Sequence, residues 1–162
     1  MKIKLFSKLV PFVLLTGSVL FMSCSKNNDS NNNNNDRIYT VSGSGNGAQV
    51  VPVVSTTATS NLTGSYNSST NILQYNITWT GLATAANGVR FYGPGATGVN
   101  ATGNSQFDLG ITTPGMAGTA AGSITLSAEQ ETDLINGNWY YTISNATHVT
   151  GEVRGQVVAT AQ

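Results

Sequence analysis

The sequence predicts an all-β domain, built as an antiparallel β-sandwich with one short connecting helix. Three observations predict this fold class. Charged residues make up only 9% of the chain, against roughly 25% in an average soluble protein. Glycine is abundant, with 18 residues among 162, and Ser, Thr and Asn are frequent. Apolar and polar residues also alternate over several stretches, which is typical of strands with one buried and one exposed face.

The clearest predicted strand covers residues 71–80, and residues 57–66 precede it across a turn-rich stretch. The earlier segment is rich in Thr and Ser, and we expect it to pair with the later one as a β-hairpin. Successive side chains of a strand point to opposite faces, so one face of residues 71–80 is apolar. That face carries Leu73, Tyr75, Ile77 and Trp79.

Five further strands are predicted, and we expect Trp79 and Trp139 to anchor the core because each lies on an apolar face. The glycine-rich run at residues 43–47 is expected to be a loop between strands. Strands of this length with turn signals between them favour an immunoglobulin-like architecture, although the Cys…Trp…Cys pattern of true immunoglobulin domains is absent. The five strands are residues 38–41, 89–92, 119–126, 138–144 and 151–159.

One short helix is predicted over residues 127–136. Ser127 is a suitable N-cap, and Gln130 follows three residues later, as a capping box requires. Glu129 adds negative charge to the first turn, where the helix dipole favours it. Gly137 is placed to end the helix in the left-handed conformation.

The first 23 residues predict a lipoprotein signal peptide. Three lysines within the first eight residues precede an apolar stretch at residues 9–22, which is shorter than the ~20 residues of a membrane-spanning helix. This stretch leads to Cys24, the only cysteine of the chain. The segment therefore resembles a bacterial lipoprotein signal that is cleaved before an acylated cysteine. The alternative is an ordinary secretory signal in which this cysteine occurs by chance.

Residues 24–36 are predicted to be a disordered tether that begins with acylated Cys24, and residues 37–162 to be the folded domain. After Cys24 the tether contains no apolar residue, so it cannot bury enough surface to fold. Diacylglycerol and an N-acyl chain on Cys24 are two membrane signals, which together anchor a protein stably in a lipid bilayer. The expected location is the bacterial cell envelope, with the outer membrane favoured over the inner.

The charge balance and the Cys and His content argue against nucleic acid and metal as ligands. The precursor has a net charge of zero, but removal of the signal leaves four basic residues against seven acidic ones. A mildly acidic domain without a basic stripe is not expected to bind nucleic acid. One cysteine and one histidine cannot supply the ligands of a zinc site, so no metal or other cofactor is predicted.

Three stretches of the domain together resemble the CHRD domain, a family named for chordin, an extracellular growth-factor antagonist. The opening pattern matches Gln-Val-Val-Pro-Val at residues 49–53, and the middle pattern His-Ile-His-Gly-Pro aligns with Arg-Phe-Tyr-Gly-Pro at residues 90–94. The closing pattern aligns with residues 126–130, with Gly-Asn-Trp-Tyr at residues 137–140, and with His-Val-Thr-Gly-Glu-Val-Arg-Gly-Gln at residues 148–156. By analogy, the resemblance implies protein interaction outside the cell.

The CHRD pattern carries histidines at four positions, which in this chain are Arg90, Tyr92, Ser144 and His148. The resemblance implies that such histidines could form a metal site, in a sandwich like that of copper–zinc superoxide dismutases. Three of the four are replaced here, and a protonated arginine does not coordinate copper or zinc as imidazole does. We therefore expect a non-catalytic module; the alternative is a degenerate metal-binding, superoxide dismutase-like redox module.

No catalytic residue is predicted. A Ser-His-Asp triad would need His148 as its base together with Asp108 or Asp133, and no nucleophile-elbow motif accompanies them.

Five residues are candidates for a binding surface: Arg90, Tyr92, His148, Glu152 and Arg154. For Glu152 and Arg154 a structural role is favoured, with Arg154 either on the surface or paired with Glu152 or another acid. For Arg90 and Tyr92 a structural role and a ligand contact remain open. The expected function is that of a binding or structural surface module, with an envelope protein or a glycan as its ligand.

Overall fold

The computed structural model describes residues 37–100 and 107–162, so the predicted signal peptide, Cys24 and the tether lie outside the described residues. The described chain forms nine strands and one α-helix, α1 (Ala128–Ile135), with a short 3-10 turn at Gly47–Gln49. Within those residues no helix is long and apolar enough to cross a membrane. The strands are β1 (Ile38–Asn46), β2 (Thr59–Asn67), β3 (Ile72–Thr80), β4 (Ala86–Tyr92), β5 (Phe107–Leu109), β6 (Gly118–Thr125), β7 (Tyr140–Asn145), β8 (Val153–Gln156) and β9 (Val158–Ala161).

These strands form one antiparallel sheet in the order β5-β4-β7-β8-β1-β2-β3-β6, with β9 also paired to β1. β5 and β6 lie at the two ends of this path and contact each other, so the sheet curls into a nearly closed barrel. The all-β antiparallel class with one helix is confirmed. The immunoglobulin-like sandwich is not confirmed, because the described strands follow one continuous hydrogen-bonded path where a sandwich has two separate sheets.

The core lies inside this curled sheet. The predicted hairpin is present as β2 and β3, and the four apolar residues predicted for one face of β3 are all buried. Trp79 and Trp139 are 4% and 0% exposed, which confirms both as core residues. The Trp139 ring lies 5.7 Å from that of Phe91 and 5.8 Å from that of Phe107, measured between centroids. Aromatic pairs at such distances stabilise a core beyond the area that they bury.

The prediction that residues 43–47 form a loop is wrong, because β1 continues through them to Asn46. The glycines here allow the Tyr141 ring to pack closely against the backbone. A Cβ at Gly155, on the neighbouring strand, would lie 2.5 Å from Cζ of Tyr141, and a Cβ at Gly45 would lie 3.0 Å from its hydroxyl oxygen. Burial raises the pKa of Tyr141 to about 12, although its hydrogen bond with Ser60 lowers it, so the buried phenol is neutral.

The strand predicted over residues 151–159 is divided into β8 and β9. β8 pairs with β7 and with Gly45–Asn46 of β1, whereas β9 pairs with Tyr39–Ser42 of β1. Val157 lies between the two strands: its side chain is buried, and its N–H donates to the carbonyl of Trp139. The chain therefore changes its hydrogen-bonding partners at this residue.

The predicted helix is confirmed as α1, one residue shorter at each end. Both hydrogen bonds of the capping box are present, at 3.3 Å from the Gln130 N–H to the Ser127 hydroxyl and at 2.9 Å in the reverse direction. Gly137 has φ of +72°, the left-handed conformation expected after the helix. β5 was not expected, since three residues are too few to show an alternating pattern.

Replacing Gly155 with alanine should destabilise the fold by about 1–3 kcal/mol, because overpacked cores lose stability on that scale. The added methyl group would overlap the Tyr141 ring. Urea denaturation should show a lower midpoint with an unchanged m-value.

Gly110→Ala is the matched control, since a Cβ at Gly110 meets no atom within 4 Å. Its free energy of unfolding should stay within about 0.5 kcal/mol of the parent value. Equal losses in the two variants would contradict the close packing of Tyr141 on glycine.

Candidate ligand-binding cleft

The candidate site lies on the outer face of β4, β7 and β8. Every residue of β7 is buried, although a strand of an antiparallel sheet commonly exposes one face to water. Two irregular segments, residues 47–56 and 93–100, provide contacts that cover this outer face. The strand register places its side chains in two rows, Arg90, Thr142 and Arg154 in one and Tyr92, Tyr140 and Gln156 in the other.

Arg154 joins both irregular segments to the sheet, and it is 1% exposed. Its Nη1 donates to the carbonyl of Gln49 at 3.2 Å. Its Nη2 lies 3.0 Å from the carbonyl oxygens of Ala96 and Val99, and 3.2 Å from Oε1 of Gln156. The expectation of a surface arginine or an ion pair is therefore wrong, because every hydrogen-bond partner is a neutral oxygen. Burial lowers the pKa of Arg154 below its ordinary value, but an arginine remains protonated at neutral pH.

Tyr140 lies between Tyr92 and the guanidinium of Arg154. The two tyrosine rings are stacked, with centroids 5.2 Å apart and an interplanar angle of 8°. The Cζ atom of Arg154 lies 4.0 Å from the Tyr140 centroid. Such a cation–π contact contributes ~0.5–2 kcal/mol. Side chains from three neighbouring strands thus form one stack, which orients the Tyr92 ring.

A cleft of about 360 Å³ lies against this stack, within the ~300–1,000 Å³ range of small-ligand sites. Two exposed apolar residues line it, with Val149 72% exposed and Val51 38% exposed. Deeper in the cleft, Thr142 is 6% exposed, and its hydroxyl makes no hydrogen bond within the described part of the chain. The cleft therefore combines exposed apolar groups, an aromatic stack and an unused neutral hydroxyl.

Glu152 has a set of partners separate from that of Arg154. The Thr56 hydroxyl and the Asn145 amide donate to its carboxylate, and the Ala83 N–H lies 3.1 and 3.0 Å from the two carboxylate oxygens. Burial raises the pKa of Glu152, but these hydrogen bonds, aided by the charge of His148, hold it below the ordinary value of 4.5. Glu152 is fully buried and links three segments of the chain.

The positions that align with the family histidines do not fit a metal ion. Arg90 pairs with Asp108, at 3.2 Å between Nη2 and Oδ2, in the one ion pair found among the described residues. The Ser144 hydroxyl lies 3.2 Å from Oδ1 of Asn87 and from the Gly88 carbonyl oxygen. A protonated guanidinium and a hydrogen-bonded hydroxyl are not ligands for copper or zinc. Residues 37–100 and 107–162 also contain no group of three or more His, Cys, Asp or Glu side chains that could hold a metal.

Two of the five predicted site residues, Tyr92 and Arg154, meet at the cleft, whereas Arg90, His148 and Glu152 do not line it. The predicted pairing of Glu152 with Arg154 is not found, since each has its own partners.

Thr142 and Val149 line the cleft, but the sequence does not single them out. Alternation along residues 138–144 places Thr142 on the same face as Tyr140. This alternation is the one sequence feature that could have indicated Thr142, because a threonine in a strand has no distinctive chemistry.

The family model of the CHRD domain matches residues 41–157. The chain belongs to the CHRD domain family. The match extends from β1 to the residue after β8, so it includes all the strands that form the cleft. Membership in this family suggests a non-enzymatic module of unknown role. No curated protein and no solved structure matches the chain.

Acid should lower the free energy of unfolding of the CHRD domain, because it protonates the Glu152 carboxylate. Because the folded-state pKa of Glu152 lies below 4.5, its carboxylate adds stability that is complete above about pH 4.5 and is lost as pH falls through the folded-state pKa. Glu152→Gln should therefore lower the free energy of unfolding at neutral pH by about 1–3 kcal/mol and make its decline in acid shallower. Urea denaturation at a series of pH values measures both effects.

Glu129→Gln is the control, since it removes the same charge from an exposed position of α1. It should keep the acid dependence of the parent protein. If Glu152→Gln also keeps that dependence, the buried carboxylate does not have the role assigned to it.

Proposed function

We propose that this CHRD protein is a non-catalytic binding module, lipid-anchored in the bacterial cell envelope, that holds a neutral ligand in the cleft. The observation that carries the proposal is Thr142, which lines the cleft and whose hydroxyl has no hydrogen-bond partner among the described residues. This hydroxyl is not among the fully enclosed unpaired atoms of the described residues, so water or a ligand can reach it. The cleft therefore offers a hydrogen bond that the domain itself leaves unused.

The charges around the cleft favour a neutral ligand. Arg154 is the one ionisable side chain with a formal charge at neutral pH among the lining residues that the structure describes. Its guanidinium is buried, covers Tyr140 and is directed at four neutral oxygens. An anionic ligand would need charged donors directed into the cleft, as carboxylate and phosphate sites have.

The walls of the cleft are held in place before any ligand arrives. Arg154 binds the carbonyls of Gln49 and Val99, and Asn100 donates to the carbonyl of Val51 at 3.1 Å. A preorganised site loses less conformational entropy on binding, which favours affinity.

A second hollow, of about 430 Å³, lies on the barrel surface beside Ser42, Asn61 and Val158. It is larger than the cleft, but no aromatic ring lines it. It therefore lacks the aromatic stack that lies against the cleft. We therefore place the function in the cleft.

The lipid anchor is supported by the sequence. Cys24 is the only cysteine, it follows a basic and then an apolar segment, and an Asn-rich stretch separates it from the domain. An acylated Cys24 would hold the domain at a membrane. The tether would keep the cleft accessible to ligands in the envelope.

Replacing Cys24 with alanine should release the protein from the membrane fraction, because the acyl chains have no other attachment point. Fractionation of cells that express the full chain measures this, with detection in the membrane and soluble pools. Ser25→Ala, at the next position, should leave the protein in the membrane. Membrane retention of the Cys24→Ala protein would refute the anchor.

Val149→Arg should abolish binding in the cleft, because it places a long cation at the rim where Val149 is 72% exposed. The test applies the full-length protein in detergent to arrays of immobilised glycans and peptides. Val158→Arg makes the same change in the second hollow and should leave binding intact. If the unchanged protein binds no probe better than Val149→Arg does, the proposed function is wrong.

A further inference from the structure

We infer that the ligand of the cleft is a neutral carbohydrate, in which a sugar ring packs against the Tyr92 ring and the sugar hydroxyls hydrogen-bond to Thr142. This inference rests on the proposed function, since it names the ligand class of the same site.

Tyr92, at the end of the aromatic stack, lines the cleft and supplies an aromatic ring suited to a sugar. Tyr92 is partly exposed, and its one ring contact among the described residues is with Tyr140. The face of an aromatic ring is negative and its edge positive. The C–H groups of a pyranose carry a small positive charge, so they pack favourably on such a face. Because Tyr140 and Arg154 hold Tyr92 in place, little side-chain entropy is lost when a sugar binds.

The polar groups of the cleft match the hydroxyls of a sugar. Tyr92, Thr142 and Thr150 all line the cleft, and none of their hydroxyls makes a hydrogen bond within the described residues. Each hydroxyl is both a donor and an acceptor. A sugar hydroxyl has the same dual character, so it can bind these groups in either direction without leaving a donor or an acceptor unpaired.

Charged sugars are disfavoured by the same geometry. Arg154 is the cation nearest to a ligand, but its guanidinium is buried and directed at backbone carbonyls and Gln156. A sulfate, phosphate or uronate group would therefore lose its hydration without gaining a charged partner, which is costly.

A peptide is disfavoured by the pairing of the strands. An extended peptide commonly binds by adding a strand to an open sheet edge. β7 pairs with β4 and β8, β4 also pairs with β5, and β8 also pairs with β1. The three strands beneath the cleft therefore have neighbours on both sides and offer no edge. The cleft volume of about 360 Å³ instead suits a compact ligand such as a mono- or disaccharide.

The test presents the full-length protein in detergent to neutral mono- and disaccharides of hexoses and N-acetylhexosamines. Sialylated, sulfated and uronate sugars and a peptide library are presented in parallel. We expect binding to one or more neutral sugars, with the dissociation constant measured by titration calorimetry. Thr142→Val, which keeps the shape and removes the hydroxyl, should weaken binding about three- to tenfold, the value of one hydrogen bond.

Tyr92→Ala should weaken binding of the same sugar about tenfold or more, because it removes the ring. Tyr92→Phe keeps the ring and should weaken binding less than Tyr92→Ala does, by no more than about tenfold, since one hydroxyl is lost. Thr63→Val, the same change as at Thr142 but on the exposed face of β2 outside the cleft, should leave binding unchanged. Thermal denaturation of each variant checks that the fold is retained.

The outcomes separate this inference from the function on which it rests. Binding of neutral peptides instead, abolished by Val149→Arg, would overturn the carbohydrate inference and leave the proposed function standing. Binding of charged sugars would overturn both the inference and the neutral ligand of the proposed function. Binding of neutral sugars that is insensitive to Thr142→Val and Tyr92→Ala would overturn the site assigned to them. Absence of any binding above that of Val149→Arg would overturn both.

Discussion

The buried guanidinium of Arg154 is the interaction on which the cleft depends. A charge taken out of water is costly unless polar groups replace its hydration. Here the carbonyl oxygens of Gln49, Ala96 and Val99, the amide oxygen of Gln156 and the ring of Tyr140 surround it. These groups come from two irregular segments and from the sheet. Pairing the two terminal nitrogens of one cation therefore fixes the walls and the aromatic stack of the cleft together, while its buried Nε has no hydrogen-bond partner within the described residues.

The block of residues 151–156, which carries much of the resemblance to the CHRD family, has a structural role at nearly every position. Gly151 has φ of +128°, which favours glycine. Glu152 collects three donors, and Gly155 leaves room for the Tyr141 ring. Gln156 donates to the carbonyls of Gly95 and Gly137 at 3.0 and 2.7 Å. The sequence of this block suggests a charged strand at the surface, but its residues are largely buried and have structural roles. The side chains open to a ligand belong to the neighbouring strands β4 and β7.

Local sequence patterns correctly predicted the secondary structure that depends on residues close together in the chain. Alternation located β3, and the capping signals located α1, because both reflect forces within a few residues of sequence. The features that were missed depend on distant residues. β1 runs through its glycines because Tyr141, from the other half of the chain, packs on them. Apart from Gln156, the hydrogen-bond partners of Arg154 lie 55 to 105 positions away. The sequence pattern could therefore indicate a pair with an acid but not contacts with carbonyls on two loops.

The most direct measurement is amide hydrogen exchange on Arg154→Lys compared with the unchanged protein. Lysine keeps the charge but lacks the planar fork that reaches several carbonyls at once. Exchange should accelerate at the amides of Val54 and Gly95, one in each irregular segment, which donate to the carbonyls of Gly47 and Asn138. The β2–β3 amides should keep their protection. Unchanged exchange at Val54 and Gly95, or an equal acceleration across β2 and β3, would contradict the account of Arg154 as the residue that holds the cleft.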